Sequence, residues 1–143
     1  MFAKQLSVFI ENRHGRLGEV LDVLKKNKVN ILSLSLADTT EYGLLRLIVD
    51  NPRLGKQKLH DAGFSTMLSD VLVIRIDHTI GSLQTLLELL SIKEINIEYM
   101  YGLSIEGETA TVVIKVSNSS EVLKIFSENN ISTLSEEEIY KLK

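Results

Sequence analysis

The stretch Asn12-Arg13-His14-Gly15-Arg16-Leu17 is the part of this chain whose residue types and spacing could do chemistry. An apolar, strand-like run from Leu6 to Ile10 leads into it. After it, Leu17, Val20, Leu21 and Leu24 recur at helical spacing. The stretch therefore reads as a strand-to-helix turn containing a glycine. A turn of this kind points free backbone N–H groups at whatever sits above the helix start. That is a place to hold an anion such as a carboxylate. Gly15, with no Cβ, would let the backbone approach a ligand closely. The Asn12 amide can offer an oxygen to an ammonium group or its NH2 to a carboxylate.

The elements that must position this turn occur twice. Gly15 and Leu17 match Gly81 and Leu83, 66 residues on. Val20, Leu21 and Leu24 match Leu86, Leu87 and Leu90, and Val29-Asn30-Ile31 matches Ile95-Asn96-Ile97. Glycine, helix register and Asn agree together, which marks an internal repeat. Each copy reads strand, helix, strand, strand, helix, strand. In the first copy the strands fall near Gln5–Glu11, Ile31–Ala37, Gly43–Val49 and Ser65–Leu68. The helices run from Arg16 to Lys26 and from an Asn51 cap, with Pro52 at its first position, to a stop at Gly63. A turn at 38–41 joins the middle strands.

In the second copy the strands fall near Val71–Asp77, Ile97–Ile105, Thr109–Val116 and Ser132–Leu134. Helices are expected at Ser82–Ile92 and from Asn118, with Glu121 as a capping-box partner, to Asn129-Asn130. Ser135 and the three glutamates after it suggest a capped terminal helix. The expected fold class is α+β: two ferredoxin-like βαββαβ repeats, residues 1–68 and 69–143, with antiparallel sheets and the helices on one face. Met67–Val71 leaves no room for a linker. Units of about 70 residues bury too little surface to stand alone comfortably, so packing of the copies or homodimerisation is expected.

Composition narrows the function. Over 143 residues the formal charge is −3, and 44% of residues are hydrophobic, which fits a globular protein and argues against a nucleic-acid partner. Sheet-borne RNA recognition also needs aromatic residues on the central strands, but Leu44–Val49 and Thr109–Lys115 have none. The absence of cysteine fits a reducing cytoplasm and excludes thiolate chemistry. The N-terminus does not resemble a secretion signal, and no apolar run suggests a membrane span. His14, His60 and His78 are dispersed, carboxylates do not cluster, and no phosphate loop of the Gly-x-x-x-x-Gly-Lys type occurs. Neither a catalytic residue, a metal site nor a cofactor is expected.

The pattern Asn12-Arg13-His14-Gly15-Arg16-Leu17, followed by Val29-Asn30-Ile31, resembles the ACT family of small amino-acid-sensing regulatory domains. His14 stands where the family usually has proline, and His78 aligns with Asn12 in the second copy. The resemblance covers the whole chain and implies a tandem ACT pair that binds a free amino acid between units, without catalysis. One such site would join Asn12, Arg13, His14, Gly15, Arg16 and Leu17 to Asn96 and Ile97. The pseudo-symmetric one would join His78, Gly81, Ser82 and Leu83 to Asn30 and Ile31. The first is favoured as the occupied one. A partner enzyme of amino-acid metabolism would receive the signal. The alternative is a structural or regulatory subunit whose pocket has degenerated.

Each residue also has a plainer reading. Gly15 and Gly81 would then only relieve turn strain. Asn30 and Asn96 would end helices in a left-handed conformation, and Asn12 would be a cap. The histidines would be solvated, and Tyr99 and Tyr101 would pack on a sheet face.

Overall fold

The computed structural model describes residues 2–11, 13–38 and 41–142. In chain order the elements are β1 (Ala3–Glu11), α1 (Arg16–Lys26), β2 (Ile31–Asp38), β3 (Tyr42–Val49), α2 (Pro52–Asp61) and β4 (Ser65–Asp77). They continue with α3 (Ser82–Ile92), β5 (Ile97–Glu106), β6 (Thr109–Val116), α4 (Ser119–Glu128), β7 (Ser132–Thr133) and α5 (Glu136–Tyr140). The βαββαβ order is met twice, as expected. Where two strands were expected on either side of position 69, one unbroken strand, β4, runs through. The expected turn at 38–41 includes Thr39 and Thr40, which lie outside the described residues.

The chain divides into two compact units, Lys4–Ser69 and Asp70–Leu142, the latter joined by residues 2–3. In the amino-terminal unit the strand order is β2-β3-β1-β4. β3 runs antiparallel to both neighbours, with Leu6 opposite Leu47 and Leu34 opposite Leu47 on the other side. Strand alternation sends Leu6, Val8 and Ile10 to one face. There they meet Val20 and Leu24 of α1, Leu59 of α2, and Leu45, Leu47 and Val49 of β3 in one core. Gly55 lets α2 settle on the sheet: a Cβ there would sit 3.1 Å from a Leu6 methyl group. Asn51 starts this helix by accepting from the Leu54 N–H at 3.2 Å, and Gly63, at φ +92°, stops it.

The carboxy-terminal unit repeats the plan with the order β5-β6-β4-β7. Leu72, Ile74, Leu86, Leu90, Ile114, Val122 and Phe126 form its core. Asn118 caps α4 through the Glu121 N–H, but the Glu121 carboxylate returns to the Asn118 side-chain amide rather than to its main chain. Ser135 and Glu138 form a complete capping box on α5. The last strand is much reduced: β7 pairs with β4 only at Ile74–Thr133 and Arg75–Ser132. Among the described residues no helix is long and apolar enough to cross a membrane.

Leu6 is fully buried beneath both helices of its unit. Leu6→Ala should therefore lower unfolding stability by roughly 3 kcal/mol through lost burial and a residual cavity. Urea unfolding followed by circular dichroism would measure it.

Candidate functional site

Both strand-to-helix corners have the same backbone. Gly15 takes φ +86° and ψ −11°, and Gly81 takes φ +88° and ψ −9°. In the first corner Arg16 N–H donates to the Arg13 carbonyl at 3.4 Å, and Glu19 N–H to the Gly15 carbonyl at 3.1 Å. In the second, Ser82 N–H donates to Thr79 at 3.3 Å and Thr85 N–H to Gly81 at 3.0 Å. A left-handed residue lets the chain leave a strand and enter a helix within a few residues. Because that residue is glycine, it has no side chain to cap the helix. The contrast with the other helices is clear: Asn51, Asn118 and Ser135 each cap their helix through a side-chain oxygen, whereas Gly15 and Gly81 cannot. The first turns of α1 and α3 thus keep N–H groups that no N-cap side chain covers, at the positive end of the helix dipole.

Close approach does not explain the glycines. A Cβ on either would meet nothing within 4 Å. Their positive φ is what requires them.

The side chains of the two corners differ. Asn12 lies outside the described residues. Arg13 pairs with Glu11 at 3.4 Å, both side chains being exposed, and His14 is exposed. The Arg16 guanidinium lies 4.2 Å over the Phe64 ring and pairs with the Glu19 carboxylate, leaving its side chain 15% exposed; its main-chain N–H stays at the helix start. Leu17 packs against the amino-terminal core. In the second corner Thr79 and Ser82 hydroxyls lie 2.6 Å apart, Thr85 Oγ1 donates to the Gly81 carbonyl at 3.1 Å, and His78 and Leu83 are exposed.

Asn30 and Asn96 are exposed at the mouths of β2 and β5. Neither is the left-handed residue. That conformation falls two positions earlier, at Lys28 and Glu94, both at φ +58°. Asn30 exchanges bonds with Asp50: its N–H donates to the Asp50 carboxylate at 2.9 Å, and its carbonyl accepts from the Asp50 N–H at 3.0 Å. The Asn96 carbonyl accepts from the Ser117 N–H at 3.1 Å. Ile31 and Ile97 pack against their own cores. Within each unit the glycine corner and the Asn lie at opposite ends of the sheet. Glu11 pairs with Tyr42 at the start of β3, and Ile31 with Val49 at its end. Eight strand residues put these ends roughly 25 Å apart. No single unit brings its own corner and its own Asn together.

Sequence reasoning missed a cleft of about 520 Å³ in the carboxy-terminal unit, between β4, the start of α3 and the α4–β7 turn. Of the expected site residues, only Ser82 lines it. No group of three or more potential metal ligands occurs among the described residues.

The sequence profile of a family described as an ACT domain pair matches residues 1–143. A protein of Bacteroides thetaiotaomicron, known from its crystal structure, is 37% identical with a TM-score of 0.93, over 99% of this chain and 97% of its own. The ligand-free regulatory subunit of aspartate kinase from Thermus thermophilus has the same fold at 14% identity, with a TM-score of 0.62 over 87% of this chain and 91% of that one. The corresponding subunit from Thermus flavus is 12% identical, with a TM-score of 0.62 over 97% and 91%. No curated protein matches the chain.

Since both glycines are held by φ and neither by crowding, Gly15→Ala and Gly81→Ala should each cost about 1 kcal/mol of stability, the left-handed penalty of an L-residue. Equal losses in urea midpoints, with unchanged secondary structure, would confirm that the two corners are equivalent backbones.

Proposed function

The chain belongs to the ACT domain-pair family, and from that premise we propose that it is a regulatory protein that binds a free amino acid between ACT units and has no catalytic role of its own. The observation that carries this reading is the duplicated corner, in which two helices begin on a left-handed glycine while α2, α4 and α5 begin on capping side chains. Uncapped N–H groups suit the carboxylate of a zwitterion. Asn amides at a strand mouth suit its ammonium and remaining oxygen.

Because a corner and its own Asn stand at opposite ends of one sheet, a site that uses both chemistries draws on two units. The repeats at 1–68 and 69–143 supply the pair within a chain, and a homodimer supplies it between chains. The first such site takes Asn12 and the Gly15–Leu17 corner against Asn96 and Ile97. The second takes His78, Gly81, Ser82 and Leu83 against Asn30 and Ile31. Arg16 would serve the first site through its main chain at the helix start, its guanidinium being taken up by Phe64 and Glu19. Ligand binding would favour one packing of units over another, and that differential affinity is all a signal needs. The fold shared with aspartate kinase regulatory subunits supports an enzyme of amino-acid metabolism as the recipient of the signal, and a chain without cysteine suits the cytoplasm as the setting.

A second reading, a regulatory subunit without a ligand, is favoured by the inward turn of Arg16 alone. The two readings separate in a thermal-shift panel of the twenty common amino acids. Sensing predicts a melting-point rise of several degrees with one or a few of them, since ligand at ~100 times its Kd adds about 2.7 kcal/mol. Asn12→Ala and Asn96→Ala should diminish that rise. No shift with any amino acid would leave the ligand-free subunit as the function.

A further inference from the structure

In each repeat one sheet face is turned away from the helices, and the two repeats differ in what they place there. In the amino-terminal unit Leu6, Val8 and Ile10 pack against α1 and α2. Phe9 and Glu11 therefore lie on the other face, with Leu44 and Tyr42 opposite them. Ala37 stands beside Leu44 on the edge strand β2. Toward Gln5, Ser7 and Ile48 this face is buried, but toward the glycine corner it is open. There Phe9 is 42% and Tyr42 47% exposed, with ring centroids 6.3 Å apart; Leu44 is half-buried and Ala37 exposed. In the carboxy-terminal unit the matching positions are Arg75, Thr109, Thr111 and Ser104, paired across the strands in the same way. All four are polar, and the Ser104 and Thr111 hydroxyls lie 2.7 Å apart. The fold therefore does not require apolar residues at these positions. A cluster of exposed apolar side chains that the fold does not need marks an interaction surface.

We propose that a second copy of this chain docks on the patch, sheet face against sheet face, about a two-fold axis. The charges at its two ends argue for a copy as the occupant. Glu11, opposite Tyr42, marks one end; Arg46, opposite Ser7, marks the other. A two-fold axis crossing the strands reverses their direction between copies. Arg46 of one copy then lies over the Tyr42–Glu11 end of the other, while Phe9 and Leu44 meet at the centre. An axis along the strands would instead set Glu11 against Glu11 and Arg46 against Arg46. The patch is thus complementary to itself in one arrangement and not in the other. Glu11 also pairs with Arg13 at 3.4 Å, but both side chains are exposed, and such a pair is weak enough to yield to another cation. The surface goes beyond the amino-acid-binding reading and stands whether or not that reading holds.

The test is sedimentation velocity of the full chain over a concentration series, without added amino acids. Dimers should form as concentration rises. Phe9→Arg and Leu44→Thr place on this face the residues that the other repeat carries on the same backbone, so the fold tolerates them, as circular dichroism would verify. Each should weaken association about tenfold or more, as loss of a central apolar anchor does. Glu11→Arg and Arg46→Glu should each weaken it several-fold, and the two together should restore it. A chain that stays monomeric at every concentration overturns the proposal. So does a dimer that Phe9→Arg and Leu44→Thr leave unchanged, or a double charge reversal as weak as either single one. The thermal-shift panel reads ligand binding separately, so the surface and the sensing role can fail independently.

Discussion

A left-handed residue at the point where a strand becomes a helix is the constraint on which this structure depends. The chain must reverse from β1 into α1, and from β4 into α3, within a few residues. Glycine does so at little conformational cost. The same choice removes the side chain that would otherwise satisfy the helix start. The turn and the anion-holding potential are one feature, not two. Each corner lies beside its sheet, with Val20 or Leu86 on the following helix anchored in its core, so the N–H groups are fixed by the burial of apolar residues that never meet a ligand.

Periodicity made the fold readable because it encodes contacts close in sequence and alternation across a sheet. The α1 and α3 spans, the Asn51 cap and the Gly63 stop all follow from patterns within a dozen residues. Other features lie beyond that range. The reason for Gly15 could not be chosen between positive φ and close approach without knowing what stands above it. The left-handed turn before each second strand fell on Lys28 and Glu94, residues with no special tolerance for it, so the neighbouring Asn drew the attention instead. The stacking of Arg16 on Phe64 joins residues 48 positions apart. No local pattern encodes that contact, and the cleft beside Ser82, the counterpart of Arg16, left no mark in the spacing. Its one trace is a repeat comparison that asks which matching positions differ in bulk.

Duplication explains how such a difference arises. Each repeat keeps the residues that hold the backbone: the glycine corner, the leucines beneath it, the capping Asn of its second helix. What each repeat presents above that frame is free to diverge, because nothing in the core depends on it. An Arg on a Phe ring contributes ~1 kcal/mol or more when partly desolvated. The amino-terminal unit has that contact at the start of its first helix. The carboxy-terminal unit has a cleft at the start of α3.

The point at which β7 begins also bears on solubility. Past Arg75 the rim of β4 offers a short length of strand with no neighbour on that side, the kind of open border along which separate molecules zip into aggregates. Two residues of bare border are too few to template a ladder. A basic and an acidic side chain standing on it, with Asn129 and Asn130 at the adjoining turn, act as gatekeepers. The border beyond Arg75 is thus bare and yet closed to pairing with a second polypeptide.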